Sequence, residues 1–219
     1  IRMSHLDKII PELSKLKLDC DYWDVRIEDS FETAIDIIDG EVVTSASSPS
    51  LGAFIRLRKK GFWFYESTTD LNGIIVILEN LNRQKVVQEN QSQYRSQKQN
   101  PFIALKSSET KFSSVRLDDK LNLNKRYCEI LRQNDKISAI RMRYRDIYKI
   151  KSFFNSVGTQ YEFDFNQAGI NIGYTLKSGT ALFEDSFRIY GSSFDQLQNQ
   201  ENNLKSALFE SEKFLNAPA

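Results

Sequence analysis

The stretch DYWDVRIEDSFETAIDIIDGEVVTSASSPSLGAFIRLRKKGFWFYESTTD, residues 21–70, decides the fold class of this chain. Hydrophobic and polar residues alternate along it, which is the pattern of β-strands with one buried face. Asp39-Gly40 and Lys60-Gly61 stand where tight hairpin turns need residues that tolerate positive φ. Pro49 and Gly52 are expected to interrupt the alternation. The pattern therefore predicts five short antiparallel strands.

Amphipathic helical patterns lie on both sides of these strands. Apolar residues recur at helical spacing over residues 4–17, and Asp70 is a predicted N-cap for a second helix that ends near Val87. The region beyond it lacks periodicity and is rich in Gln, Ser, Asn and Lys, which is typical of a linker. We expect the short apolar segment Pro101 to Leu105 within it to dock onto a domain.

The same order of elements recurs after the linker. Residues 118–134 predict a helix, residues 140–190 predict five further strands, and a last helix is expected from about residue 193 to residue 215. The sequence thus predicts an α+β fold with two units, each a helix, an antiparallel sheet and a helix. We set the boundaries at residues 3–90 and 116–216, with a polar linker at residues 91–115.

The turn glycines of the two halves have a nearly constant spacing. The separations are 118 (158 − 40), 117 (169 − 52) and 118 (179 − 61) residues, for the pairs Gly40 and Gly158, Gly52 and Gly169, and Gly61 and Gly179. Regular spacing of this kind is typical of an internal repeat. We therefore predict that the two units are homologous and arose by duplication of about 117 residues.

The composition of the chain excludes only a few classes of function. The formal net charge is +1, which gives no global attraction to nucleic acid or an anionic membrane. No apolar run approaches the length of a membrane span, and Cys20 and Cys128 belong to no CxxC pair. A cytoplasmic protein with reduced thiols and no membrane partner is expected.

The order of motifs in residues 21–71 resembles the N-terminal region of the TldD/PmbA family, also called modulators of DNA gyrase. An acidic-Val-Arg strand, an Asp-Gly turn, a Gly-x-x-x-Arg strand and a Gly-Phe segment leading to Thr-x-Asp-Leu follow one another. A later Asn-Ser-x-Gly turn resembles the central region of the family. The motif residues are Asp24, Arg26, Asp39, Gly40, Val42, Gly52, Arg56, Gly61, Phe62, Thr69, Asp70, Leu71, Asn155, Ser156 and Gly158.

The resemblance implies a zinc-dependent peptidase that acts on flexible peptides in the cytoplasm as paired homologous subunits. The zinc ligands of the family lie in a His-Glu-x-x-x-His helix of a C-terminal domain. This chain has one histidine, His5, which cannot supply the roughly three ligands of a hydrolytic zinc site. We therefore expect no catalytic residue, metal ligand or cofactor in this chain, and no activity of the chain alone.

The expected role is that of a non-catalytic N-terminal part of such a peptidase. It would serve subunit assembly, as a homo- or heterodimer, and peptide access to a C-terminal peptidase domain absent from this chain. The alternative is a nucleic-acid-binding module that uses the basic strand with Arg141, Arg143 and Arg145, since alternating arginines put several cations on one face. The residues favour this alternative less, because acidic residues on neighbouring strands are expected to neutralise the arginines.

Overall fold

The computed structural model describes residues 5–87, 94, 102–104 and 111–215, without the side chains of residues 5–7 and 102–104. These residues form four α-helices and seven β-strands, so the predicted α+β class is confirmed. In chain order they are α1 (His5–Leu13), β1 (Tyr22–Ile38), β2 (Glu41–Lys59), β3 (Phe62–Thr68), α2 (Ile74–Asn82), β4 (Phe102–Ala104), α3 (Leu117–Arg132), β5 (Ile137–Asn155), β6 (Gln160–Ser178), β7 (Ala181–Gly191) and α4 (Glu201–Leu215). No described helix is long and apolar enough to cross a membrane.

The prediction of five strands in residues 21–70 is wrong, because three strands occupy this stretch. β1 joins two predicted strands, and its buried hydrophobic residues from Val25 and Ile27 to Ile35 and Ile37 all have odd numbers, although the polar Ser30 between them is also buried. The alternation therefore keeps its phase through residues 28–30, and nothing there requires a turn. β2 likewise runs through Pro49 without a break.

Three strands also replace the five predicted for residues 140–190. The buried positions of β5 keep one phase from Met142 and Tyr144 to Tyr148, and Asp146 fills the position between them. Asp146 interrupts the hydrophobic pattern in the sequence but does not interrupt the strand, since a lysine side chain pairs with it in the interior. The aromatic residues of the first half of β6 are less buried than predicted, and Phe165 is exposed.

Four of the predicted turn glycines lie in turns, and two do not. Gly40, Gly61, Gly158 and Gly179 have φ values between 60° and 84°, a region that disfavours side chains. Gly52 and Gly169 lie inside β2 and β6, so the expectation that they break strands is wrong. A Cβ on Gly169 would lie 3.0 Å from the ring of Tyr190, so the glycine lets this ring lie against the strand.

Contacts divide the chain into two compact units that do not follow the predicted boundaries. The first unit comprises residues 1–30, 50–107 and 149–165, and the second comprises residues 31–49, 108–148 and 166–219. The strand order is β3-β2-β1-β5-β6-β4, with β7 also paired to β6. β3 and β4 belong to the first unit and β7 to the second, and each of the four long strands contributes residues to both units.

Each unit has its own hydrophobic core. In the first, α2 buries Ile74, Leu78 and Leu81 against inward residues of β1 and β2 such as Val25 and Ile55. In the second, α3, α4 and the 3-10 turn Phe194–Leu197 cover one face of the strands, and Tyr127 donates to the carbonyl of Leu197 at 2.5 Å. The other face of the strands in the second unit, which we call the open face, carries the candidate site described below.

Most of the predicted linker, residues 91–115, lies outside the described residues. Of the remainder, Phe102–Ala104 forms β4 and pairs in parallel with β6, as expected for a segment that docks onto a domain. Phe112 is fully buried in the core of the second unit, and Asn166 accepts a hydrogen bond from its backbone at 3.1 Å. The segment that begins at Lys111 therefore belongs to the second unit and is not part of a linker.

Candidate functional site

Three residues of the family motif meet in the first unit. The carboxylate of Asp24 is fully buried and accepts hydrogen bonds from Arg26 at 3.2 Å and Arg56 at 2.6 Å. Burial is the largest single influence on the pKa of Arg56 and lowers it, but the hydrogen bond to Asp24 and the attraction of its negative charge together raise this pKa. The Arg56 guanidinium also lies 4.6 Å from the ring centre of Trp63. Asp24 thus holds β1 to β2 and has no free oxygen directed at solvent.

Other motif residues close turns or cap helices. Asp39 accepts a hydrogen bond from the backbone of Ile140 at 2.7 Å, and Gly40 follows it in the turn between β1 and β2. Gly61 donates its N–H to Asp21 at 3.0 Å. Asp70 caps the 3-10 turn that precedes α2, because its side chain accepts from the backbone of Asn72 at 3.0 Å.

The Asn-Ser-x-Gly motif forms the turn between β5 and β6. Asn155 is buried, and its side-chain oxygen accepts from the backbone of Thr159 at 2.8 Å, while its amide donates to the hydroxyl of Tyr22 at 3.3 Å. Gly158 supplies the positive φ of this turn. Gly52 lies within β2, where a Cβ would be 3.4 Å from the carbonyl of Thr68. These residues act on backbone conformation in this structure.

The predicted arginine ladder lies on the open face of the second unit, but its members differ in their contacts. Arg145 donates two hydrogen bonds of 2.9 Å to the carboxylate of Asp36 and a third to the carbonyl of Ile35. Arg141 and Arg143 are exposed and have no ion-pair partner among the described residues. Arg145 is therefore neutralised, and the ladder is not a continuous row of free cations.

A cavity of about 710 Å³ opens on this face and is lined entirely by residues of the second unit. We call it the arginine groove. Small side chains form much of its wall, namely Ala34, Ala46, Ser48 and Gly169. Small residues let the main chain of a ligand approach a strand closely. The groove is therefore suited to an extended chain.

Charged and polar side chains stand among these small residues. Arg143 on β5 and Glu32 on β1 line the groove, and neither has an ion-pair partner among the described residues. The buried Oδ1 atom of Asn171 also lines it without a hydrogen-bond partner. The exposed Arg143 and Glu32 therefore offer a bound ligand one donor and one acceptor.

A buried ionic cluster lies at the wall of the groove. Lys120 of α3 is fully buried, with its Nζ 2.7 Å from Asp146 Oδ2 and 2.8 Å from the hydroxyl of Thr33. Tyr144 donates to the same carboxylate at 2.5 Å, whereas Asp146 Oδ1 has no partner among the described residues. Burial lowers the pKa of Lys120, and the hydrogen bond to Asp146 opposes this shift. The cluster ties α3 to the strands that carry the groove.

Sequence reasoning missed this cluster and most of the groove. Lys120 and Asp146 occupy inward positions of the helical and strand periodicities, and a charged residue at each of two inward positions is a signal for a buried pair. Glu32, Asn171 and Tyr190 carry no such signal, since only the pairing of strands brings them to one face.

In the first unit, the lysines that continue the basic strand are paired with Glu28. Lys149 donates to it at 2.7 Å, and Lys151 lies at 3.3 Å. The hydrogen bond from Lys149 lowers the pKa of Glu28, and burial only partly opposes this shift. These cations are therefore less available to a phosphate backbone than the sequence pattern indicates.

We expect the contribution of Glu28 to stability to depend on pH. Because its pKa in the folded protein lies below the ordinary value of 4.5, the stabilisation is present above that value and is lost as the pH falls through the folded pKa. Glu28→Gln should lower the free energy of unfolding by at most about 1 kcal/mol at pH 7, since the pair is half-exposed. Urea denaturation at pH 7 and pH 3 measures this. An equal deficit at both pH values contradicts the prediction.

No group of three or more His, Cys, Asp or Glu side chains that could hold a metal ion occurs among the described side chains. Two of the acidic residues near the groove are held in ion pairs, Asp36 with Arg145 and Asp146 with Lys120. Among the described residues, Glu32 has no second acidic, histidine or cysteine side chain beside it with which to bind a metal ion. The described residues therefore do not fit a hydrolytic zinc site.

One family model matches a segment of 61 residues (83 − 23 + 1) near the start of the chain. Residues 23–83 match the family model described as PmbA/TldA metallopeptidase domain 1. The resemblance to the TldD/PmbA family is therefore confirmed. The matched segment extends from Trp23 to Arg83 and includes the buried Asp24–Arg56 cluster, the Asp39-Gly40 turn and the Asp70 cap. The TldD/PmbA motif is thus carried by residues that hold the fold.

Solved structures of TldD/PmbA-type proteins share this fold. A protein from Thermotoga maritima named as a modulator of DNA gyrase is 14% identical with a TM-score of 0.69, and covers 90% of this chain and 45% of its own. A protein of the same description from Bacteroides thetaiotaomicron is 16% identical with a TM-score of 0.70. The match covers 95% of this chain and 50% of that protein. TldE from Thermococcus kodakarensis is 9% identical with a TM-score of 0.75, and the match covers 95% of this chain and 47% of TldE. The chain thus spans about half the length of these structures. Among curated proteins, none matches it.

Proposed function

We propose that this chain is the non-catalytic part of a TldD/PmbA-like metallopeptidase and that its arginine groove receives extended peptides on their way to a peptidase domain. The observation that carries the proposal is the groove itself, 710 Å³ in volume and walled by small side chains. An extended peptide alternates N–H and C=O groups. Its C=O groups can therefore accept from the exposed Arg143 guanidinium while its N–H groups donate to the exposed Glu32 carboxylate.

Peptide binding to the chain tests this proposal. We expect saturable heat in isothermal titration calorimetry with an unstructured ten-residue peptide of mixed composition, and a dissociation constant on the order of tens of micromolar. A peptide of the same composition held in a helix by side-chain crosslinks is the control, because a helix cannot present its main chain to the strands. Absence of binding by the unstructured peptide, or equal binding by the helical control, overturns the proposal.

The proposal includes assembly with a zinc-containing C-terminal peptidase domain and with a homologous subunit. Three solved structures about twice as long as this chain support the first part, and the occurrence of TldE as a named protein of this fold is compatible with the second. Cytoplasmic location is part of the proposal, and two unpaired cysteines, Cys20 and Cys128, support it. A coding sequence after Ala219 with a His-Glu-x-x-x-His helix is expected; a stop codon there contradicts the assembly.

Internal duplication is a further part of the proposal. Each half has the order helix, two long strands, a shorter strand, a 3-10 turn and a helix. The segment boundaries of the two units also repeat, since 148 and 30 differ by 118, 149 and 31 by 118, and 166 and 50 by 116. These near-equal differences support a duplication of about 117 residues in which segments 31–49 and 149–165 are exchanged between the two units. In an experimental structure, we expect residues 22–82 to superimpose on residues 137–208 with the turns in register.

The alternative of a stand-alone nucleic-acid-binding module has no support. Its basic strand retains Arg141 and Arg143 as unpaired cations, whereas Asp36 binds Arg145 and Glu28 binds Lys149 and Lys151. Two separated cations are too few to follow a phosphate backbone.

A further inference from the structure

Arg143 differs from Arg145, the other arginine of the arginine groove, in its contacts. The groove is lined by two arginines and two acidic residues. Arg145 is bound bidentately by Asp36, and Asp146 is bound by Lys120. Arg143 and Glu32 remain without an ion-pair partner among the described residues. The groove therefore presents one free cation and one free anion to a ligand.

Because Asp36 binds Arg145, Arg143 is the arginine of the groove that remains available to a charged ligand. A guanidinium already engaged by a carboxylate has little capacity for a second one, so ligand charge is read by Arg143 alone. Its planar fork matches the geometry of a carboxylate. Glu32 acts in the opposite sense, because it repels a ligand with several negative charges from the same groove.

We propose that Arg143 selects extended peptides with a single carboxylate at the position that faces it. This inference rests on the proposed function, since it names the substrate class of the same groove. The carboxylate has two sources, an Asp or Glu side chain or the free C-terminus of the peptide. Both present the same oxygens to the guanidinium, so the recognition chemistry is shared.

The test is calorimetric titration of the whole chain with four ten-residue peptides that share one uncharged composition and an acetylated N-terminus. The first is amidated and neutral, the second is amidated with one central Glu, the third is neutral with a free C-terminal carboxylate, and the fourth is amidated with one central Lys. We expect the second or the third peptide to bind roughly three- to tenfold more tightly than the first. The peptide that binds more tightly, the second or the third, identifies the source of the carboxylate.

Two variants assign the preference to Arg143. Arg143→Ala should abolish the tighter binding of the carboxylate-bearing peptide without abolishing binding of the neutral peptide. Arg141→Ala is the matched control, because it removes another exposed arginine of the same strand that does not line the groove. Arg143→Glu should reverse the preference in favour of the Lys peptide. Circular dichroism checks that each variant is folded.

The outcomes separate this inference from the proposed function. Equal binding of all four peptides overturns the inference and leaves the proposed function standing. An equal loss in Arg141→Ala and Arg143→Ala also overturns it, because the effect is then one of net charge. Absence of binding by every peptide overturns the proposed function and the inference with it.

Discussion

Lys120→Met is expected to lower the free energy of unfolding by about 3–5 kcal/mol. Lys120 and Asp146 are both fully buried as side chains and lie 2.7 Å apart. Removal of the ammonium leaves the Asp146 carboxylate in the interior with a single remaining donor, the hydroxyl of Tyr144. A buried charge without its partner carries most of its desolvation cost uncompensated. Urea denaturation at pH 7 measures the effect.

The double variant Lys120→Met, Asp146→Leu is the control for this prediction. Replacement of a whole buried ion pair by hydrophobic residues is often neutral or stabilising, so we expect the double variant to recover most of the lost stability. An exposed pair of the same unit, Lys213 and Glu210, offers a second control, because loss of Lys213 should cost less than about 1 kcal/mol. A loss below about 1 kcal/mol for Lys120→Met would show that the pair is not buried as described.

Phe112→Ala is expected to cost about 3–5 kcal/mol. The ring of Phe112 is fully buried in the core of the second unit, although its position in the sequence lies within the predicted linker. Its removal leaves a cavity between the segment that begins at Lys111 and the core. The segment also depends on the hydrogen bond from the Phe112 backbone to Asn166, which the substitution retains.

Phe209→Ala is the matched control, since it removes the same side chain from α4 of the same unit. Phe209 is 63% exposed and contacts the ammonium of Lys213. We expect a loss of about 1 kcal/mol or less there, because a surface substitution leaves no cavity. Thermal unfolding of both variants beside the unmodified chain gives the comparison. Similar losses in the two variants would contradict the burial of Phe112.

The sequence predicts the class of the fold and its turns because both depend on local patterns. Alternation identifies strands, and Asp39-Gly40 and Lys60-Gly61 adopt the positive φ values that their turns require. Strand length is predicted less well. The charged Asp146 interrupts the hydrophobic alternation of β5 in the sequence. The strand continues because Asp146 pairs with Lys120, which is 26 residues earlier in the chain (146 − 120). A long-range pair of this kind cannot be read from local alternation.

The candidate site is predicted in part for the same reason. The spacing of Arg141, Arg143 and Arg145 places them on one face of a strand, and the structure has them there. Which of them is free depends on Asp36 from β1 and therefore on strand pairing. Glu32 and Asn171 reach the groove from β1 and β6, and no spacing within one strand indicates that they meet.

Blocking the arginine groove is the most direct test of the claim that it receives extended peptides. Ala46→Trp puts a large side chain into the groove from an exposed position of β2. Ala181→Trp, also exposed and in the second unit but outside the groove, is its control. Titration with the unstructured peptide should show affinity weakened at least about tenfold in Ala46→Trp and unchanged in Ala181→Trp. Unaltered affinity in a folded Ala46→Trp variant would contradict the claim.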